Sequence, residues 1–187
     1  MVAAGEKEGE DLEQGLMQLG REPRESRSRM LFFAACAEAD GPTRWRLVDE
    51  SLAAFPDDVD SLITAYQLTA DEPARRAEIV RRVAAAAAAI EQEIRNLPTD
   101  STSRNEYAWL IANTEGDLAK ATRYSRQSLE ESFDNASYLD TLAHCHAAAG
   151  NLERAIRTQW LAVKKEPHSL LIRRNLARFR SLAETRP

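Results

Sequence analysis

Residues 136–167, ASYLDTLAHCHAAAGNLERAIRTQWLAVKKEP, decide the fold that we expect for this chain. Two runs rich in alanine and leucine, which favour helices, lie on either side of Gly150. A glycine commonly follows the last residue of a helix, and Pro167 cannot continue the second run as a helix. The stretch therefore predicts a helix, a short turn and a second helix that ends before Pro167.

The stretch before it has the same pattern. Gly116 precedes Gly150 by 34 residues, and Ala121 precedes Ala155 by the same interval. A fixed period of this length is typical of proteins built from stacked helical repeats. We therefore expect residues 101–167 to form two helix–turn–helix units.

The first of these units is predicted to carry one extra residue in its turn. Pro98 and Phe133, the breaks that end successive units, are 35 residues apart. With the extra residue, the small Ala108 aligns with Ala143 at the place where the two helices of a unit touch. Without it, the bulky Trp109 would lie in that contact.

This pattern resembles the tetratricopeptide repeat (TPR), a helix–turn–helix unit in which small residues let the two helices touch and a proline ends the unit. Ala143, Ala155 and Pro167 stand at the matching places. Gln159 stands where the family has an aromatic residue, and we expect the neighbouring Trp160 to take over its packing. The resemblance implies an all-α fold, a right-handed α–α superhelix made of a TPR-like solenoid with a C-terminal capping helix.

The resemblance is strongest over residues 101–182, and the rest follows by periodicity. We predict four parts: an acidic flexible N-terminus at 1–8, irregular TPR-like helical repeats with one extended helix at 9–100, two TPR units at 101–167, and a capping helix at 168–187.

Two of the helices predicted before the two units have clear signals of their own. The extended helix begins at Pro73, a residue suited to a first turn, and has about 24 residues with apolar side chains every three to four positions. A shorter helix near the N-terminus is predicted from Leu12, Leu16 and Leu19, which share one helical face.

The triplet His144–Cys145–His146 suggests a metal site, but its spacing is wrong for one. Successive helical residues point about 100° apart, so the three side chains diverge, whereas zinc ligands on one helix are normally four residues apart. Asp140 lies four residues before His144 and could orient it as a base, yet no partnered nucleophile accompanies the pair. We therefore predict no catalytic residue, no metal and no cofactor, with a metal-binding or catalytic protein using Asp140 and His144 as a lesser alternative.

The composition favours a location in the cytoplasm. The two cysteines, Cys36 and Cys145, are 109 positions apart without a CxxC motif, which is typical of a reducing compartment. The N-terminus is acidic and lacks the apolar core of a signal peptide. The longest apolar run, residues 83–90, is far shorter than the roughly 20 residues that span a membrane.

Four arginines on the capping helix raise the question of nucleic acid. No stacking aromatic residue lies beside them, and cations toward a helix C-terminus complement its dipole, so a solvated helix face is the favoured interpretation. The four are Arg173, Arg174, Arg178 and Arg180.

The function implied by the resemblance is protein–protein interaction through a concave groove lined by the first helix of each unit. We predict that a peptide or partner protein binds there to two neighbouring stripes of residues spaced by four: Asn105, Trp109 and Asn113 on one helix, Asp140 and His144 on the next. Two alternatives stay open: Trp109 belongs to the core, or the chain is a structural repeat segment of a larger protein.

Overall fold

The computed structural model describes residues 23–185, and within this range the chain is helical and contains no strand. The predicted all-α, TPR-like fold class is confirmed. The predicted N-terminal segment 1–8 and the predicted helix with Leu12, Leu16 and Leu19 lie outside the described residues. The helices are α1 (Pro23–Ala37), α2 (Gly41–Ala54), α3 (Val59–Leu68), α4 (Pro73–Asn96), α5 (Ser101–Asn113), α6 (Leu118–Glu131), α7 (Ala136–Ala148), α8 (Leu152–Lys165) and α9 (Leu170–Glu184).

Side-chain caps that the sequence supplies determine where most of these helices begin. Each capping side chain accepts a hydrogen bond from a backbone N–H of the first turn, an interaction worth about 1 kcal/mol. The extended helix α4 instead begins at Pro73, as predicted, and has 24 residues. The capping residues are Asp40, Asp58, Asp100, Asp117, Asn135, Asn151 and Ser169.

The chain divides into two compact units between Ile79 and Val80, inside α4. In the first unit, α2 packs against both α1 and α3. A chain of buried hydroxyls joins these helices, because Ser51 Oγ lies 2.8 Å from Ser28 Oγ and 2.7 Å from Ser61 Oγ. Small polar residues thus allow close contact between helices without an unpaired hydroxyl.

The second unit contains two antiparallel helix pairs and the capping helix. α5 packs on α6, α7 packs on α8 and on α5, and α9 covers α8. The first helices of the pairs begin 35 residues apart, whereas the second helices begin 34 apart. The turn at residues 114–117 therefore has one residue more than the turn at 149–151, and the predicted extra residue is confirmed.

Alanines occupy the closest helix contacts of the second unit. Ala108, Ala121, Ala143 and Ala155 are completely buried. Ala143 and Ala155 form one cluster with Phe179 of the capping helix. This agrees with the predicted alignment of Ala108 with Ala143, which keeps the neighbouring indole out of the contact.

The turn after α7 requires its glycine. Gly150 has a φ of 79°, in the left-handed region, and its N–H donates to the carbonyl of Ala147. The N–H of Asn151 donates to the carbonyl of His146 at 2.9 Å. These two bonds are the Schellman pattern, in which glycine reverses the chain at a helix end.

The expectation that Trp160 replaces the missing aromatic of the repeat is wrong. Gln159 itself occupies the interior position and is completely buried, whereas Trp160 is 43% exposed with the Lys164 ammonium over its ring. A buried amide needs hydrogen-bond partners, and Gln159 Nε2 finds them in the cluster described next, whereas Oε1 has none among the described residues.

Candidate functional site

The first helices of the two repeat units bring Trp109, Asn113 and His144 together. The rings of Trp109 on α5 and His144 on α7 meet edge to face, with centroids 4.9 Å apart. Asn113 Nδ2 donates to the Trp109 carbonyl at 2.9 Å, and Asn113 Oδ1 lies 2.9 Å from His144 Nδ1. The amide of Asn113 therefore links the His144 side chain to the backbone of α5 at Trp109.

The same hydrogen bonds assign the tautomer of His144. The amide nitrogen of Asn113 donates to the Trp109 carbonyl, so the amide oxygen of Asn113 faces the imidazole. Because this oxygen can only accept a hydrogen bond, Nδ1 of His144 must carry the proton. Nε2 is then the unprotonated nitrogen, and it lies 3.9 Å from Asp140 Oδ2. Phe179 closes the other side of the ring, with centroids 5.1 Å apart.

His144 is buried, with 6% of its surface exposed, and burial lowers its pKa below the ordinary 6.5. The carboxylate of Asp140 opposes this shift, and the guanidinium of Arg178 adds to it. Burial is the largest of the three causes because transfer from water disfavours the charged imidazolium. At neutral pH His144 is therefore neutral.

Asp140 is the centre of a polar cluster that joins three helices. Its Oδ1 accepts hydrogen bonds from Gln159 Nε2 of α8 and from Asn175 Nδ2 of α9, the latter at 3.0 Å. Gln159 Nε2 also donates to the carbonyl of Ile172 at 3.0 Å. A buried carboxylate is tolerated here because neutral amides from two neighbouring helices hydrogen-bond to it.

Three residues of this site were missed by the sequence reasoning: Gln159, Asn175 and Phe179. Signals in the sequence could have found the first two. Gln159 departs from the aromatic residue of the repeat pattern, and Asn175 follows Asp140 by 35 residues, which is one repeat further along the stack.

Asn105 is not joined to the other predicted site residues. It is half-buried, and within the described part of the chain its Oδ1 has no hydrogen-bond partner. Trp109 is half-buried as well and lies outside the alanine contact of its unit. The groove role of both residues stays a prediction.

The histidine–cysteine triplet diverges as its helical spacing predicts. His144 faces Asn113, whereas the Cys145 thiol lies 3.9 Å from the carbonyl oxygen of Ala108. Burial raises the pKa of Cys145 to about 12, so its thiol is protonated and a poor metal ligand at neutral pH. Between residues 23 and 185, no group of three histidine, cysteine or carboxylate side chains is placed to hold a metal ion.

The arginines of the capping helix are solvent-exposed, as the favoured interpretation expects. Among the residues that the structure describes, none of the four forms an ion pair. No helix in residues 23–185 is long and apolar enough to cross a membrane. The four arginines are Arg173, Arg174, Arg178 and Arg180.

Several solved structures have a similar arrangement of helices. A chain described as MamA 41-end from Desulfovibrio magneticus RS-1 is 11% identical, with a TM-score of 0.50 over 86% of this chain and 86% of that one. MamA contains tetratricopeptide repeats. The chain has a TPR-like helical-repeat fold. At this identity the likeness shows the fold alone.

Two further MamA structures are also similar. A MamA RS-1 ArsTM double mutant is 10% identical, with a TM-score of 0.49 over 87% of this chain and 86% of that one. Another MamA crystal structure is 11% identical, with a TM-score of 0.48 over 84% and 81% of the two chains. No protein-family model matches the sequence, and no curated protein matches it.

Proposed function

We propose that this chain is a member of the TPR family and a non-catalytic scaffold that binds a peptide or a segment of a partner protein along α5 and α7. The TPR-like fold supports this at the level of architecture. The binding residues that we propose are Asn105, Trp109 and Asn113 on α5, with Asp140 and His144 on α7. Because the last two are buried, their role is to support the others from beneath.

The observation that carries the proposal is the fixed position of Trp109. Its ring is held edge to face by His144, and its carbonyl is bound by Asn113. A half-buried indole in one orientation offers a large contact area that loses little conformational entropy when a partner binds. Such aromatic anchors commonly contribute most of the affinity of an interface.

The polar cluster does not favour an enzyme. His144 Nε2 and Asp140 Oδ2 are 3.9 Å apart, beyond hydrogen-bond distance, and both side chains are buried among amides and aromatic rings. The cluster has the composition of a structural network that fixes the neighbouring helices. A location in the cytoplasm is part of the proposal and is supported by the cysteine usage of the sequence.

Trp109→Ala tests the proposal against a matched change of another tryptophan, Trp160→Ala. We expect Trp109→Ala to weaken binding of the partner that the wild-type chain captures by about 2 kcal/mol, which is roughly thirtyfold in Kd. Trp160→Ala should leave the affinity unchanged. The measurement is affinity capture with the three chains, followed by calorimetry with the partner identified, and circular dichroism checks that each chain is folded.

The contrary results are distinct. Equal binding by Trp109→Ala and the wild type would place the partner on another face. Unfolding of Trp109→Ala would identify the indole as core.

One observation favours the second candidate, a structural repeat segment of a larger protein. Leu170 and Leu171 at the start of α9 are 64% and 63% exposed. Neighbouring exposed leucines on a terminal helix are suited to pack against another part of an assembly. Loss of the captured partner in Leu171→Glu, but not in Trp109→Ala, would support this candidate over the groove.

A further inference from the structure

His144 occupies a position through which three helices contact one another. Its ring lies between Trp109 of α5 and Phe179 of α9, and its Nδ1–H donates to Asn113 of α5. Its Nε2 is buried and has no hydrogen-bond partner among residues 23–185. The imidazole therefore has one nitrogen already used and one nitrogen that faces a carboxylate without bonding to it.

A proton on Nε2 gains a hydrogen bond to Asp140 only if the side chains move. The 3.9 Å separation from Asp140 Oδ2 must shorten to about 2.8 Å for a charge-assisted hydrogen bond. The bond from Nδ1 to Asn113, already at 2.9 Å, opposes that shift, because it holds the ring toward α5. The carboxylate is also held in place, since the amides of Gln159 and Asn175 hydrogen-bond to it.

We infer that His144 is a pH-sensitive positioning residue: its neutral form, anchored to α5 through Asn113, holds the Trp109 ring by their edge-to-face contact, and gain of a proton on Nε2 loosens that contact. The inference rests on the proposed function only in treating Trp109 as the partner-binding residue. The coupling of His144 to Trp109 is a property of the chain alone.

The charges around His144 come from two helices. Asp140 of its own helix favours the protonated form, and Arg178 of α9 disfavours it. The groups facing it from α5 are Trp109 and Asn113, which are uncharged, and α8 acts only through the neutral amide of Gln159 on Asp140. With burial as the dominant cause, the pKa lies below 6.5, so the loosening occurs as the pH falls below that value.

The test is an NMR titration of the full chain labelled with ¹⁵N in histidine and tryptophan. At neutral pH we expect the His144 signals to report a proton on Nδ1. On acidification, His144 should titrate with a midpoint below 6.5, and the indole N–H of Trp109 should shift with the same midpoint. Trp45→Phe and Trp160→Phe variants assign the indole signal. A proton on Nε2 at neutral pH, or a Trp109 signal that does not change across the midpoint, would overturn the inference.

Variants distinguish a His144 that positions Trp109 from one that is only buried beside it. His144→Gln should abolish the acid response of Trp109, whereas His146→Gln, a change of the other buried histidine on α7, should preserve it. Arg178→Gln should raise the His144 midpoint and Asp140→Asn should lower it; midpoints that do not move would contradict the assignment.

If His144→Gln does not fold, the wild-type titration decides alone. Failure of the proposed function would appear in Trp109→Ala, as unchanged partner affinity or as unfolding. It would leave these NMR results intact.

Discussion

Gln159 shows how one residue outside the repeat pattern can add a polar network to a helical interface. The family pattern expects an aromatic side chain here, which would fill the same volume without binding Asp140. The amide instead donates to both the carboxylate and the Ile172 carbonyl, and it is completely buried. The stability of this interface therefore depends on hydrogen bonds as well as on apolar area.

We expect Gln159→Met to destabilise the chain by about 1–3 kcal/mol, although the side-chain volume is nearly kept. The change leaves the buried Asp140 with Asn175 as its remaining amide donor and removes the side-chain hydrogen bond to the Ile172 carbonyl, and loss of a partner by a buried carboxylate costs about this much. Urea denaturation measures the loss.

Glu153→Gln on the exposed face of the same helix is the control for this prediction. Its pair with Arg157 is 67–79% exposed, so the change should stay within about 0.5 kcal/mol. If Gln159→Met leaves the free energy of unfolding unchanged, the amide contributes only its volume to the interface.

The sequence predicted the helices whose ends and contacts depend on signals within one repeat unit. The turn glycines, the helix-ending prolines and the alanines of the helix contacts act within one unit, so they can be read from a 34-residue period. The extra turn residue was predictable in the same way, because the alternative places Trp109 in a contact that only a small side chain fits. The Trp160 expectation failed because the period indicates which position is interior but not whether a polar residue there can find partners.

The contact between α7 and α8 tests the predicted alignment of the repeat units. Ala155→Leu should destabilise by about 1–3 kcal/mol, because Ala143 and Phe179 already fill the space around a completely buried Ala155. Ala183→Leu on the exposed side of α9 adds the same atoms where there is room, and should cost little. Equal stability of the two variants in urea denaturation would show that α7 and α8 do not touch at Ala155.

At the scale of the whole chain, periodicity predicts less. The boundary between the two compact units lies inside α4, at a place that helix signals cannot mark because the helix runs through it. The site was only partly predictable for a related reason. The spacing by four along α5 and α7 identified Trp109, Asn113, Asp140 and His144, which the structure brings together. Asn175 and Phe179 come from the capping helix, whose apolar spacing predicts its inward face but not that the polar Asn175 on that face pairs with Asp140. The domain boundaries predicted at residues 100 and 167 stay predictions.

The stability of the second unit should depend on pH through His144. The folded-state pKa of this histidine is lowered below 6.5, so the unfolded chain binds a proton more readily than the folded chain. The stabilisation is therefore present above about pH 6.5 and is lost as the pH falls below it. The free energy of unfolding should decrease by at most about 1.4 kcal/mol per pH unit for this one group.

Trp109 fluorescence in a Trp45→Phe/Trp160→Phe background confines the measurement to the second unit, because Trp109 is then the only tryptophan. Urea denaturation at a series of pH values should show the decrease in that background. His144→Gln should make it less steep, since glutamine does not titrate, and His146, whose pKa burial also lowers, contributes to the remainder. His168→Gln, which changes an exposed histidine between α8 and α9, is the matched control and should keep the wild-type profile. If the free energy of unfolding of His144→Gln still falls below pH 6.5 as steeply as that of the wild type, other groups cause the acid sensitivity, because glutamine at position 144 cannot bind a proton.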